Sequence, residues 1–370
     1  MKIIFAPDSY KGALRADKVA EALASGWHSV RPQDELICLP LSDGGEGMAQ
    51  ALAAAMGGNV IEIDTFDALM RPIKGRAVVI EDTAIVETAE ANGLEKLSKD
   101  ELDPLMATTY GVGVMMKKLL DLGCRKFIAG IGGSATVDGG AGMLQALGAK
   151  LFDRRGNELP PGAGGGILRH VAKVELSTLD ERLKDTEISV ACDVKNPLTG
   201  KEGAAEVFGP QKGATGEMVP ALDENLHHWA ELFDDEGNHP GDGAAGGLGF
   251  ALRKILNGKL ISGAELIIEK SGFISALHNA DWVVTGEGCS DEQTAYGKLC
   301  SVVAAKAHAH GVPVVLVSGA LKGDTGALEK VFDGCFSIAQ GPVSLEKAIA
   351  DTAVNLRRMG ANLAHLTGRK

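Results

Sequence analysis

The chain has 370 residues, more than one hydrophobic core usually supports, so two domains are expected. Forty-five per cent of the residues are hydrophobic and only 4% aromatic, which suits an α/β protein with aliphatic cores. A net charge of −12 without blocks of lysine or arginine argues against a nucleic-acid partner or a membrane surface, and no window approaches the roughly 18 apolar residues that a membrane span needs.

The N-terminal run Met1 to Asp8 is cut by Pro7 and Asp8, so it reads as a first strand over 2–6 and not as a signal peptide. A helix is expected over 16–29, where Val19, Ala22, Leu23 and Trp27 recur at helical spacing. A second strand over 35–41 and a second helix over 48–56 follow. Strand, polar loop and helix thus alternate twice, which implies a parallel sheet with its loops at the strand C-terminal ends. The style then changes. Short strands over 59–64, 73–80 and 84–88 suggest antiparallel pairing and a second domain. A helix over 112–122 and a strand over 124–131 lead into a glycine-rich loop. A strand over 187–192, a helix over 218–233 and a second glycine-rich stretch, Gly241 to Gly249, come next. The alternating pattern returns with a mostly helical 262–277, strands over 281–285, 313–318 and 335–339, and helices over 298–309 and 345–366. The expected architecture is α/β in two domains. A doubly wound Rossmann-like domain comes from both chain ends, 1–63 and 271–370, and a mixed α/β domain, 64–270, is inserted in it.

The six cysteines, Cys38, Cys124, Cys192, Cys289, Cys300 and Cys335, are scattered. That points to reduced thiols in a cytoplasmic protein rather than a disulfide framework or a zinc site. Self-association into a homo-oligomer is left open by the sequence.

The stretch Gly130 to Met143 holds six glycines in fourteen residues, with Ser134, Thr136 and Asp138 among them. Glycine is costly to order, so something must approach this backbone closely. The usual visitor at a strand, glycine loop and helix junction is an anion such as phosphate. Four further strand ends repeat small residues with a carboxylate and a nearby lysine: Asp8-Ser9-Tyr10-Lys11, Ser42-Asp43-Gly44-Gly45-Glu46, Asp193-Val194-Lys195, and Glu287 to Asp291 with Lys298 following. Carboxylates that hold Mg²⁺ or take a proton, lysines that neutralise phosphate, and glycines that admit the backbone are what phosphoryl transfer requires. No G-x-x-x-x-G-K-[ST] motif occurs. The rival is an NAD(P)-dependent oxidoreductase. Gly130-Ile131-Gly132-Gly133-Ser134-Ala135 matches a dinucleotide fingerprint, and Asp153 lies near the distance of a ribose-binding acid. Against it, Thr136 to Gly140 separates the fingerprint from its helix.

Taken together, Ala6-Pro7-Asp8-Ser9-Tyr10-Lys11, Asp43-Gly44-Gly45-Glu46-Gly47, Gly130 to Thr136 with Asp138-Gly139-Gly140, Cys192-Asp193-Val194 with Asn196-Pro197-Leu198, Phe208-Gly209-Pro210-Gln211-Lys212-Gly213, Gly243 to Gly247, and Gly286-Glu287-Gly288 with Asp291 and Gln293 resemble the bacterial glycerate kinase type I family, in its order and over nearly the whole chain. The resemblance implies ATP-dependent phosphorylation of D-glycerate, Mg²⁺, and a two-domain α/β fold with its active site in the cleft between domains. The family includes 2-phosphoglycerate formers. Its last motif usually reads Gly-Glu-Gly-Arg, where this chain has Cys289, so the missing cation falls to Lys298 or Lys212; Val137 stands where asparagine is common. On this reading Lys11 with Ser9, and beside them Asp8, Ser42, Lys195 and Lys212, bind the small carboxylate substrate. Asp193 is the candidate general base or metal ligand, with Asp43 and Glu46 as further metal ligands. Glu287, Asp291, Asp43, Lys11 and Lys298 complete the catalytic candidates. Gly132, Gly133, Ser134, Asp138, Gly139, Gly140, Gly246 and Gly247 are expected to cradle the phosphates of ATP.

Overall fold

Strands rich in Val, Ile and Leu alternate with helices at both chain ends, and in the computed structural model these runs come together in one parallel sheet. The structure describes residues 1–41, 48–49, 52–53, 57–162, 164–296 and 298–367. The sheet runs Gly334–Ser337, Val314–Leu321, Trp282–Ser290, Lys2–Phe5, Glu35–Cys38, and every pairing in it is parallel. Counted within this sheet, the order is 2-1-3-4-5, the flavodoxin-like form of the doubly wound fold rather than the dinucleotide-binding order. The order reverses between Lys2–Phe5 and Trp282–Ser290, and ligands of open α/β sheets bind beyond the strand C-termini at such a point. Helix Ala16–Val30 buries Val19, Ala20, Leu23 and Trp27. It packs against Thr352–Thr367 at backbone distance. A Cβ on Gly26 would stand 1.8 Å from the Arg357 carbonyl oxygen, and one on Gly360 2.1 Å from that of Leu23.

This sheet and its helices form one unit, Met1–Asp43 with Gln50–Met56 and Gly263–Lys370. The other unit is Gly44–Ala49 with Gly57–Ser262. Its sheet has six strands in the order Lys259–Ile261, Glu187–Ala191, Lys126–Gly130, Thr83–Glu87, Pro72–Ile80, Asn59–Phe66. The first four are parallel and the last three antiparallel, as the mixed style of the sequence suggests. Asn59–Phe66, which the sequence reading divides between domains, pairs along its whole length with Pro72–Ile80 and therefore belongs to the second unit. Helix Gly263–Lys270 belongs to the first. A hydrophobic cluster that includes Met115, Phe127, Leu144, Val190, Trp229 and Phe250 forms the core of the second unit.

Of the helix expected over 48–56, Met48, Ala49, Leu52 and Ala53 are helical, and the rest lies outside the described residues. All six cysteines are free. Among the described residues, no helix is long and apolar enough to cross a membrane.

Candidate functional site

In the first unit, the polar residues after Lys2–Phe5 sit beside those that end Trp282–Ser290, because the two strands are hydrogen-bonded neighbours. The Asp8 amide continues the ladder by donating to the Gly286 carbonyl at 2.8 Å. Gly288 lets the loop pass closely, since a Cβ there would lie 3.2 Å from the Tyr10 Cα and 3.3 Å from the Lys11 nitrogen. Tyr10 is buried and donates its hydroxyl to the Val317 carbonyl at 2.7 Å. Burial, with Cys300 and Glu287 nearby, raises its pKa well above the ordinary value, so it stays a protonated donor. Asp8 and Ser9 are half-buried and Lys11 is exposed. Glu287 is half-buried, and its Oε1 accepts hydroxyls from Ser290 at 2.9 Å and Thr294 at 2.6 Å. Asp291 caps the short helix Glu292–Ala295 by accepting the Gln293 amide at 2.9 Å. Its carboxylate thus has a structural task. Lys298 stands at the start of helix Leu299–Ala309, half-buried, with its carbonyl accepting the Ser301 hydroxyl.

In the second unit, Lys126–Gly130 and Glu187–Ala191 are parallel neighbours, so the glycine-rich loop and the Asp193 loop leave the same sheet edge. The loop turns sharply into protein. Asp138 is fully buried and ends up inside it. Its carboxylate accepts the Thr109 amide and hydroxyl, both at 2.8 Å, and the Gly140 and Gly142 amides at 3.1 and 3.2 Å. Burial raises its pKa against the pull of those hydrogen bonds. Such a carboxylate organises the loop, with both of its oxygens taken up by protein donors.

The glycines have the same explanation. A Cβ on Gly139 would meet the Trp229 ring at 2.6 Å, and one on Gly140 the Ala251 Cβ at 2.4 Å. On Gly246 it would lie 1.9 Å from the Thr136 carbonyl oxygen, and on Gly247 2.7 Å from the Gly139 Cα. All four have positive φ, from 61° to 92°. The close approach that glycine density demands is made by protein, and these four glycines interlock two loops rather than face a phosphate. Gly132 and Gly133 differ: both are exposed, just past the strand end.

Ser134 is buried next to them, and its hydroxyl oxygen accepts a hydrogen bond at 3.0 Å from the ammonium of Lys212, which also donates to the Thr136 carbonyl at 2.8 Å. Lys212, a substrate-binding and phosphate-cation candidate by sequence, is only 2% exposed. Desolvation lowers its pKa to about 7, with Asp138 pulling the other way. Among the described residues no carboxylate comes within ion-pair reach of it. Asp193 and Lys195 are exposed beyond Glu187–Ala191, and Asp193 accepts the Ser262 hydroxyl at 2.9 Å. Ser42, Asp43 and Glu46 lie outside the described residues.

Sequence reasoning overlooked Thr109, Ser290, Thr294 and Ser318, whose hydroxyls hold the two key carboxylates directly or through one another. Ser318, a lone hydroxyl closing the apolar run Val314 to Val317, carries a readable signal. Among the described residues, no group of three or more His, Cys, Asp or Glu side chains forms a metal cage. Magnesium commonly uses only one or two carboxylates together with phosphate oxygens and water.

The dinucleotide fingerprint does not survive in three dimensions. The helix after it, Ala141–Ala146, begins only after an intervening loop. Asp153 lies beyond Lys150–Phe152, a strand of a two-stranded antiparallel sheet. There its carboxylate binds the Arg155 and Asn157 amides at 2.8 Å.

The model of the glycerate kinase family matches residues 3–368. The chain belongs to the glycerate kinase family. It is 43% identical to the glycerate kinase of Bacillus subtilis (strain 168) and 41% identical to the glycerate 2-kinase of Escherichia coli (strain K12). Each match covers 98% of this chain and 97% of the relative. Its fold matches a crystal structure of a putative glycerate kinase 2 from Salmonella typhimurium LT2 with a TM-score of 0.90, at 40% identity, covering 100% of this chain and 98% of that one. As a member of this family the chain is a kinase, with ATP as the phosphoryl donor, and the oxidoreductase reading finds no support.

Proposed function

We propose that this kinase phosphorylates D-glycerate from MgATP and that 2-phosphoglycerate is the product. The observation that carries the reading is Lys212, a buried ammonium that among the described residues is held only by the neutral oxygens of Ser134 and Thr136, next to the exposed Gly132-Gly133 turn. A buried cation with no ion-pair partner among the described residues is costly, and the phosphates of ATP supply one. Gly132, Gly133, Ser134 and Lys212 therefore form the phosphate-facing part of the loop. Lys11 and Ser9 receive the glycerate carboxylate, and Asp8 its hydroxyls. Lys298 and Lys195 are further cations for phosphate and substrate.

Glu287 is the stronger candidate for the group that takes the acceptor proton, because its carboxylate is already oriented by two hydroxyls. Asp193, exposed at the end of its strand and accepting the Ser262 hydroxyl, suits a cation that arrives with ATP. Asp43 and Glu46 complete the metal candidates by sequence. Mg²⁺ supplies charge neutralisation on the phosphates. The six free thiols suit a cytoplasmic setting. The test is ATP consumption by purified protein across D-glycerate, lactate and tartronate. D-glycerate is expected to be turned over preferentially; failure to consume ATP with any of them overturns the proposal.

A further inference from the structure

We propose that Ser290, Thr294 and Ser318 are positioning residues that lock the Glu287 carboxylate, committing one oxygen and presenting the other at the sheet edge. This rests on the reading of Glu287 as acceptor of the substrate proton. Glu287 Oε1 accepts from Ser290 Oγ at 2.9 Å and from Thr294 Oγ1 at 2.6 Å. A serine hydroxyl has one proton, and that of Ser290 is spent on Glu287. Ser318 must therefore donate to Ser290 across the 2.6 Å that separates their oxygens. Thr294 Oγ1 in turn accepts the Asp291 amide at 3.1 Å. Two directional chains thus end on one oxygen: Ser318 to Ser290 to Glu287, and Asp291 amide to Thr294 to Glu287.

Burial separates this arrangement from ordinary surface hydrogen bonding. Ser290, Thr294 and Ser318 are all 0% exposed, while Glu287 is only half-buried. Buried hydroxyls cost stability unless paired. Ser318 sits in a strand whose preceding residues, Val314 to Val317, are all apolar and buried. A hydroxyl at that position finds its partner only in Ser290 among the described residues. The terminal torsion of a glutamate is broad. Two donors on one oxygen fix it, and donors in a chain strengthen one another.

Glu287 Oε2 accepts no hydrogen bond from any described residue, so it is the oxygen left for substrate. In the transfer step the acceptor oxygen bonds to the γ-phosphorus as the bond from that phosphorus to the ADP oxygen breaks. The hydroxyl proton passes to Glu287 Oε2, which becomes a neutral acid, and ADP leaves as the anion.

Steady-state kinetics on Glu287→Gln, Thr294→Val, Thr294→Ser, Ser290→Ala and Ser318→Ala test the lock. Glu287→Gln is expected to lower kcat at least about a hundredfold. Thr294→Val should lower kcat about tenfold or more while leaving KM for ATP and for D-glycerate within about twofold. Thr294→Ser, which restores the donor, should return kcat to within about threefold of wild type. Ser318→Ala, which touches nothing that touches substrate, should show a smaller loss of about three- to tenfold in kcat alone. Should Thr294→Val unfold early in a thermal melt, the two serine variants decide. Wild-type kcat in Ser290→Ala and Ser318→Ala, with Glu287→Gln inactive, overturns the lock and leaves the role of Glu287 standing. Wild-type kcat in Glu287→Gln overturns both.

Discussion

Replacing Lys212 by methionine removes the ammonium while keeping an unbranched side chain of similar length. Lys212 is 2% exposed, and burial lowers its pKa from 10.5 to about 7. In the unfolded chain the amine keeps its proton up to its ordinary value, whereas the folded protein releases it from about pH 7 upward. Between those two values the unfolded state binds more protons, so the contribution of this group to stability rises with pH there. The burden is greatest below pH 7, where both states are charged, and is lifted above about pH 10.5. A shift of that size corresponds to about 5 kcal/mol in full, of which roughly 2–3 kcal/mol falls between pH 6 and 9. Urea unfolding of wild type and Lys212→Met at pH 6, 7, 8 and 9 measures it, because titrating groups that do not interact with Lys212 cancel in the difference. The variant is expected to lose about 2–3 kcal/mol relative to wild type as the pH goes from 6 to 9. Turnover should be low throughout, since the phosphate-facing charge has gone. A stability difference that stays flat with pH refutes the account of Lys212 as a desolvated amine. Wild-type turnover refutes its role toward phosphate.

Asp193→Asn is expected to raise the Mg²⁺ concentration for half-maximal activity about tenfold or more; an unchanged Mg²⁺ dependence removes Asp193 as a metal ligand. Gly246→Ala places a Cβ 1.9 Å from the Thr136 carbonyl oxygen at a φ of 68°. It should cost at least about 3 kcal/mol in denaturant unfolding, and a loss below about 1 kcal/mol would contradict the interlocking of the two loops.

The periodic parts of the fold were open to sequence reasoning. Apolar runs such as Val314 to Val317 and the alternation of strand and helix at both chain ends imply the parallel sheet, and carboxylates after strands point to its functional edge. The fate of individual side chains was less legible, because it depends on partners far along the chain. Asp138 reads as a free carboxylate in a phosphate loop, yet Thr109, nearly thirty residues earlier, takes it up. Gly246 and Gly247 read as a second cradle, but Thr136 and Gly139 already occupy the space. Lys212 follows Gly209-Pro210-Gln211, a composition typical of an exposed turn, and only the fold shows its ammonium beneath Ser134 and Thr136. Asp291 reads as a catalytic candidate, yet in the fold its carboxylate caps the short helix Glu292–Ala295. Local pattern fixes where a strand ends; tertiary contacts decide whether the polar residue there faces substrate or a neighbouring loop.

Regiospecific product formation is the most direct test of the central claim. Purified protein with MgATP and D-glycerate is coupled through enolase, pyruvate kinase and lactate dehydrogenase, with and without phosphoglycerate mutase. Steady NADH oxidation without the mutase is the expected result, because 2-phosphoglycerate enters enolase directly. A signal that appears only when the mutase is added contradicts the 2-position, and no ATP-dependent product in either arm contradicts glycerate phosphorylation itself.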